Sequence, residues 1–201
     1  MANEYVTLDE FKMAGELKGL AFMDYDATRS IASASRAIDE YCGRRFWKDA
    51  DATQVRYYTP LDSRCVSIDD AVSVGTVQVD WDGDGTFETT LTTSDYTLDP
   101  LNAAADGKPY EEIRIRPWTL CLPYWNGCVK VTGQFGWSAV PDQVKTATML
   151  LSEKLVKRVR EAPFGVVGVG ADSLPVRVIR TDPEMATLLD PLVRGQGVMV
   201  A

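Results

Sequence analysis

The sequence contains no histidine. That removes the side chain most used as a general base near neutral pH, and the commonest metal ligand, so Ser/His/Asp, Cys/His and His-metal mechanisms are excluded. A catalyst would be left with carboxylate, lysine or tyrosine chemistry, and the expectation is a protein that is not an enzyme and carries no cofactor. Cysteine is scarce. Cys42, Cys65, Cys121 and Cys128 lack the paired spacing of a zinc site, and no secretory signal precedes them, so reduced thiols, no disulfides and no zinc are expected. No apolar run approaches the roughly 20 residues needed to span a bilayer, so no membrane association is expected. Positive charge is also in deficit. With 21 lysines and arginines against 29 aspartates and glutamates the net charge is −8, and a surface of that sign repels nucleic-acid phosphates.

The 201 residues suffice for one domain, or for one domain with a sizeable insertion. Thr7, with Glu10 three residues on and Phe11 next, reads as a capping box opening a short helix to about Leu17, ended or loosened by Gly15 and Gly19. A second helix is expected to start from Asp26 as N-cap. Ile31, Ala34, Ile38, Tyr41 and Cys42 share one of its faces, and Gly43 stands where a left-handed terminal residue is wanted. From Val55 the period changes: Val55–Tyr58, Val74–Trp81, Phe87–Leu91, Ile113–Ile115 and Val129–Phe135 read as strands divided by turn-rich segments. The two ends of this β-rich stretch are expected to approach each other, because a helical pattern resumes at once. Pro141 and Asp142 open a helix of about five turns with Val144, Ala147, Met149, Leu151, Leu155, Val156 and Val159 on its apolar face. Gly165, Gly168 and Gly170 mark a hinge, Val176–Arg180 an extended arm, and Asp182 with Pro183 a last short helix before a loose terminus. The fold class is therefore α+β: a helical core of about four helices over residues 1–54 and 139–201, with an inserted β-rich subdomain, a sandwich or small barrel, over 55–138.

Three motifs invite functional readings. Asp80, Asp82, Asp84 and Gly85 imitate the first half of an EF-hand calcium loop, but its twelfth position holds Leu91 where a bidentate glutamate is needed, and strands flank it. An Asp-Gly hairpin turn is favoured, with no metal. Trp118, Tyr124, Trp125 and Trp137 could form a sugar-stacking platform, yet aromatics at strand ends more often fill a core, and that reading is preferred. Lys154, Lys157, Arg158 and Arg160 gather cations at the end of the long helix, where they complement the dipole and suit a partner's carboxylates. On an otherwise acidic chain, that cluster fits the heterologous contacts of a head-to-tail ring.

Four passages then carry a resemblance: "YVTLDEFK", "ASRAIDEYCGRRF", "VTGQFGWSAVPDQVKTATMLLSEKLVKR" and "TDPEMATLLDPLVR". Together they cover about half the chain and resemble the tailed-bacteriophage head-tail connector (adaptor) family often called gp6-like. The resemblance implies a structural virion protein of the phage neck, assembled in the host cytoplasm. It implies a homo-oligomeric ring, expected to be twelve-fold, between the portal and a neck or tail-completion protein, with DNA passing through unbound. It also implies a docking role at the portal for Arg177, Ile179, Arg180, Leu188, Leu189, Leu192 and Arg194. The β-rich unit departs from the smaller members of that family and resembles an insertion of longer ones. The competing expectation is a small β-domain that binds calcium or glycan through Asp80–Asp84 and the aromatics.

Overall fold

The computed structural model of the chain describes residues 3–17, 23–118, 121–161 and 183–195. It is α+β. Among the described residues there are four α-helices, α1 (Leu8–Leu17), α2 (Asp24–Cys42), α3 (Asp142–Glu161) and α4 (Pro183–Leu189), and six strands. The strands are β1 (Gln54–Tyr58), β2 (Cys65–Val79), β3 (Thr89–Leu91), β4 (Tyr96–Asp99), β5 (Tyr110–Ile115) and β6 (Val129–Phe135). The chain divides into two compact units: residues 1–46 with 140–201, and residues 47–139.

In the helical unit, the α1 capping box forms as its sequence requires. The Glu10 carboxylate accepts the Thr7 amide at 2.7 Å, and the Thr7 hydroxyl accepts the Glu10 amide at 3.2 Å. Helix α2 begins earlier than expected, at Asp24, and Asp26 is not its N-cap. Met23 holds that position in extended conformation without a side-chain bond, and Asp24 and Asp26 both lie in the first turn, facing the positive end of the dipole. Its other end follows the expectation, since Gly43 adopts φ +63° and the Arg44 amide reaches the Asp39 carbonyl at 3.3 Å.

α2 and α3 pack on one another through small side chains. Ala27, Ser30, Ile31, Ala34, Ser35, Ile38 and Cys42 are buried on α2; Val144, Ala147, Thr148, Leu151, Ser152 and Val156 are buried on α3. Three of the hydroxyls among them survive burial because they are satisfied within their own helices. Ser35 donates to the Ile31 carbonyl at 2.9 Å, Thr148 to Val144 at 2.7 Å and Ser152 to Thr148 at 2.6 Å. Val6 and Phe11 complete this core against Ala27, Ile31 and Val156.

The β unit is one antiparallel sheet in the order β1-β6-β2-β5-β4, with β3 also on β2. Its 15-residue β2 pairs with β5 through its first half and with β6 through its second, and the register slips between Ser67 and Ala71, between Ala71 and Ser73, and between Val74 and Thr76. Such slips bend a strand and change which face alternate residues occupy. Val66 and Ile68 are buried from even positions, Val77 and Val79 from odd ones. All four share one apolar cluster with Ile113, Val129, Val131 and Phe135 and no helical residue, so the sheet curls to enclose its own core.

The ends of this unit meet. The Asp49 amide donates to the Phe135 carbonyl at 2.9 Å, Gly136 to Asp70 at 2.6 Å and Trp137 to Trp47 at 3.4 Å. At Gly136, with φ +106°, an added Cβ would lie 1.9 Å from the Trp47 carbonyl oxygen. Gly136→Ala should therefore destabilise the protein by more than ~3 kcal/mol, combining left-handed strain with a clash against rigid backbone. Gly107→Ala, where φ is +65° but nothing lies within 4 Å, should cost only about 1–2 kcal/mol. Urea denaturation midpoints check the contrast.

Candidate functional site

The closing segment is tied down more firmly than its sequence suggests. Tyr41, in the last turn of α2, donates its hydroxyl to Asp190 Oδ1 at 2.5 Å, and the Arg194 amide donates to the Cys42 carbonyl at 2.8 Å. α4 buries Met185 and Leu189, the latter with no exposed surface. Leu189 is thus spent on the helical core and is withdrawn as a docking residue, whereas Leu188, Leu192 and Arg194 keep part of their surface exposed. The loose terminus expected from sequence is corrected as far as Gly195. Arg177, Ile179, Arg180 and the hinge glycines Gly165, Gly168 and Gly170 lie outside the described residues.

At the end of α3, Lys157 and Arg158 are exposed and Lys154 is half-buried; the side chain of Arg160 lies outside the described part. The electrostatic contrast between the two units is large. Residues 47–139 hold 14 carboxylates against 7 lysines and arginines, a net −7, while the remainder of the chain holds 15 against 14, a net −1. Nearly all of the excess negative charge therefore sits on the β unit.

The Asp80–Asp84 segment is a turn, built as its sequence pattern favours. Asp80 is buried, and each of its oxygens accepts a backbone amide, Oδ1 from Gly83 at 2.8 Å and Oδ2 from Gly85 at 3.0 Å. Gly83 and Gly85 supply the positive φ the turn demands. Asp82 accepts the Asp84 amide at 3.3 Å, and Asp84 accepts the Thr86 amide at 2.7 Å as well as the Thr86 hydroxyl. Those bonds, the hydroxyl first, hold the Asp84 carboxyl below its usual range. The three carboxylates present oxygens within 4.8 Å of one another, but backbone donors already occupy both oxygens of Asp80.

The aromatics divide. Trp137 is 4% exposed and donates its indole N–H to Asp70 Oδ2 at 2.7 Å. Trp118 and Tyr124, each 69% exposed, and Trp125, 43% exposed, overturn the expectation that all four fill the core. They lie outside the strands. Trp125 is held by its indole N–H, which donates to the Asp80 carbonyl at 3.2 Å, and its ring stands over Gly83. Sequence reasoning also missed Tyr57 and Phe87, whose rings are 5.6 Å apart with Lys130 Nζ 5.6 Å from the Phe87 centroid. A signal existed in β1, where Val55 and Tyr57 alternate with Arg56 and Tyr58. It is the apolar-looking face, Val55 and Tyr57, that is exposed, because Arg56 is drawn inward by Asp49 at 2.7 Å, Asp69 at 2.6 Å and the Phe135 ring at 4.0 Å.

With this geometry in hand, the chain can be set beside known proteins. No protein-family model matches it, and no curated protein does. Five chains of solved structures match. One of them belongs to the neck of an empty GTA (gene transfer agent) particle computed with C6 symmetry. The likeness covers 94% of this chain and 89% of that one, at a TM-score of 0.52 and 17% identity. At that identity the match shows a shared fold. Among the described residues no helix is long and apolar enough to cross a membrane.

Removing the Asp80 carboxylate takes away the acceptor of the Gly83 and Gly85 amides, so Asp80→Ala should lower stability by ~2 kcal/mol, while Asp84→Ala at the exposed rim should leave it nearly unchanged. Equilibrium denaturation with and without millimolar calcium checks this. Calcium should leave the wild-type midpoint in place; a rise that Asp80→Ala abolishes would instead show the turn to be a metal loop.

Proposed function

We propose that this protein is a structural subunit of the neck of a phage-like particle: a ring-forming head-to-tail connector beneath the portal, giving DNA a channel and neck or tail proteins a platform. The observation that carries the reading is the fold likeness to a chain of a particle neck, which extends over 94% of this chain and so includes both units. The four sequence passages that resemble the connector family support it separately. The neck in the matched structure was computed with C6 symmetry, and a twelve-fold ring of this chain, as the resemblance implies, would contain that symmetry.

In this reading the helical unit is the connector core and the β unit an insertion. The arm with Arg177, Ile179 and Arg180, together with Leu188, Leu192 and Arg194, docks to the portal about the hinge at Gly165, Gly168 and Gly170. Lys154, Lys157, Arg158 and Arg160 meet the neighbouring subunit. No reaction is assigned to the protein. A channel wall of the same sign as the whole chain, −8, lets DNA slide because it repels the phosphates and offers few lysines or arginines to displace the counterions condensed on them.

Co-expression with the portal protein of the same particle, imaged for the full chain and for a chain truncated after Asp172, tests the reading. A ring stacked on the portal by the full chain alone is expected. A full chain that is folded yet never associates would remove the connector role.

A further inference from the structure

The two edges of the β sheet differ in how they are guarded. β4 is 4 residues long and runs into Pro100, which has no amide to offer a further strand. β1 lacks such protection. It pairs with β6 without a register slip from Gln54 to Tyr58, contains no proline, and no described strand lies on its other side. Its one charged residue, Arg56, is drawn inward by Asp49 at 2.7 Å and Asp69 at 2.6 Å. Val55 and Tyr57 are left exposed on the opposite face. An edge without a charge, a bulge or a proline is a template for one more strand.

Beside that edge stands a surface of aromatic rings and carboxylates. The Phe87 ring lies 5.6 Å from that of Tyr57. A Cβ at Gly127 would lie 4.0 Å from the Tyr57 Cβ, and two residues earlier Trp125 packs over Gly83 with its indole N–H on the Asp80 carbonyl at 3.2 Å. These contacts place the acids: Asp82 and Asp84 flank the glycine that Trp125 covers, and Glu88 adjoins Phe87. All three are exposed, and among the described residues none of them forms an ion pair. Lys130 Nζ stands 5.6 Å from the Phe87 centroid, and one lysine against these carboxylates leaves the surface negative. Aromatic faces with unpaired carboxylates at their margin receive cations, because the ring quadrupole attracts an ammonium or guanidinium and the carboxylates accept its hydrogen bonds.

We infer that β1 is a docking edge for an extended, basic segment of another protein. That segment adds as a strand beside Gln54–Tyr58 and lays lysine or arginine side chains on Tyr57, Phe87 and Trp125, against Asp82, Asp84 and Glu88. Backbone pairing supplies affinity and the cation seats supply selectivity. A second copy of β1 is disfavoured as the occupant, because it would bring like carboxylates against each other. The inference goes beyond the connector reading by giving the β unit a task, and it does not require the chain to form a ring.

Fluorescence anisotropy of the full chain with a labelled peptide that alternates valine with lysine, and with its valine–glutamate counterpart, tests the docking edge. The lysine peptide should bind at least about tenfold more tightly than the glutamate peptide, and its binding should slow hydrogen exchange at the amides of Gln54–Tyr58. Asp82→Asn, Asp84→Asn and Glu88→Gln made together should keep the wild-type melting temperature, since an amide oxygen still accepts the turn's bonds, but weaken the lysine peptide about tenfold. Tyr57→Ser should weaken it similarly. Equal binding of the two peptides, binding of neither, protection confined to another segment, or undiminished binding by the triple variant would each overturn the docking edge. If either variant fails to fold, the wild-type peptide comparison and the exchange at 54–58 decide alone. None of these outcomes touches the connector reading, and a chain that never associates with the portal would leave the docking edge in place.

Discussion

Two backbone segments that touch where the β unit begins and ends constrain much of this structure. The Trp47 carbonyl occupies the space that a side chain at position 136 would need, and the amides of Asp49 and Trp137 lace the two segments together while that of Gly136 ties the second of them to Asp70 in β2. Because those bonds close the unit at its own base, a 93-residue excursion from 47 to 139 returns to its starting point. The helical pattern on either side is then free to build one core from residues distant in sequence. The same tightness recurs within β6, where an added Cβ at Gly133 would lie 2.3 Å from the Ser73 carbonyl oxygen, at the place where β2 slips register. A strand without side-chain bulk at that point lets the sheet curl and bury its apolar face without help from a helix.

The helical unit solves its packing differently. The α2–α3 pair is lined by alanine, serine and threonine, and the hydroxyls of Ser35, Thr148 and Ser152 bond to carbonyls of their own helices, so that these polar side chains are buried with their donors paired. Tyr5 ties the chain start to this unit, donating to Asp39 and accepting the Phe46 amide at 2.9 Å. Burial, then the bond to Asp39, raises the Tyr5 hydroxyl well above the ordinary tyrosine range, so it stays a donor under any physiological condition. Cys42, buried in the same region, has its thiol pushed up to about 12 chiefly by burial, which makes it a packing residue and not a nucleophile.

Charge and apolar exposure are distributed unevenly along the chain. The β unit holds nearly all of the excess carboxylate, and its exposed aromatics are Tyr57 on β1 and Trp118, Tyr124 and Trp125 outside the strands, while the helical unit is close to neutral with cations gathered at the end of α3.

What could be read from the sequence was local. The Thr7–Glu10 capping box, the Gly43 terminus, the limits of β6 and the Asp80 turn each depend on residues within a few positions of one another, so spacing alone determined them. The histidine-free composition and the sign of the charge were likewise complete before any folding. Tertiary structure alone decided the rest. The first half of β2 and all of β4 were missed because bulges break the alternation and pairing partners supply what propensity does not. Tyr57 faces solvent because two distant aspartates and Phe135 compete for Arg56 beside it. Leu189 is buried because Tyr41 and Cys42, some 150 residues earlier, hold the closing segment in place. Burial is a property of what the rest of the chain brings alongside, and no window of sequence contains it.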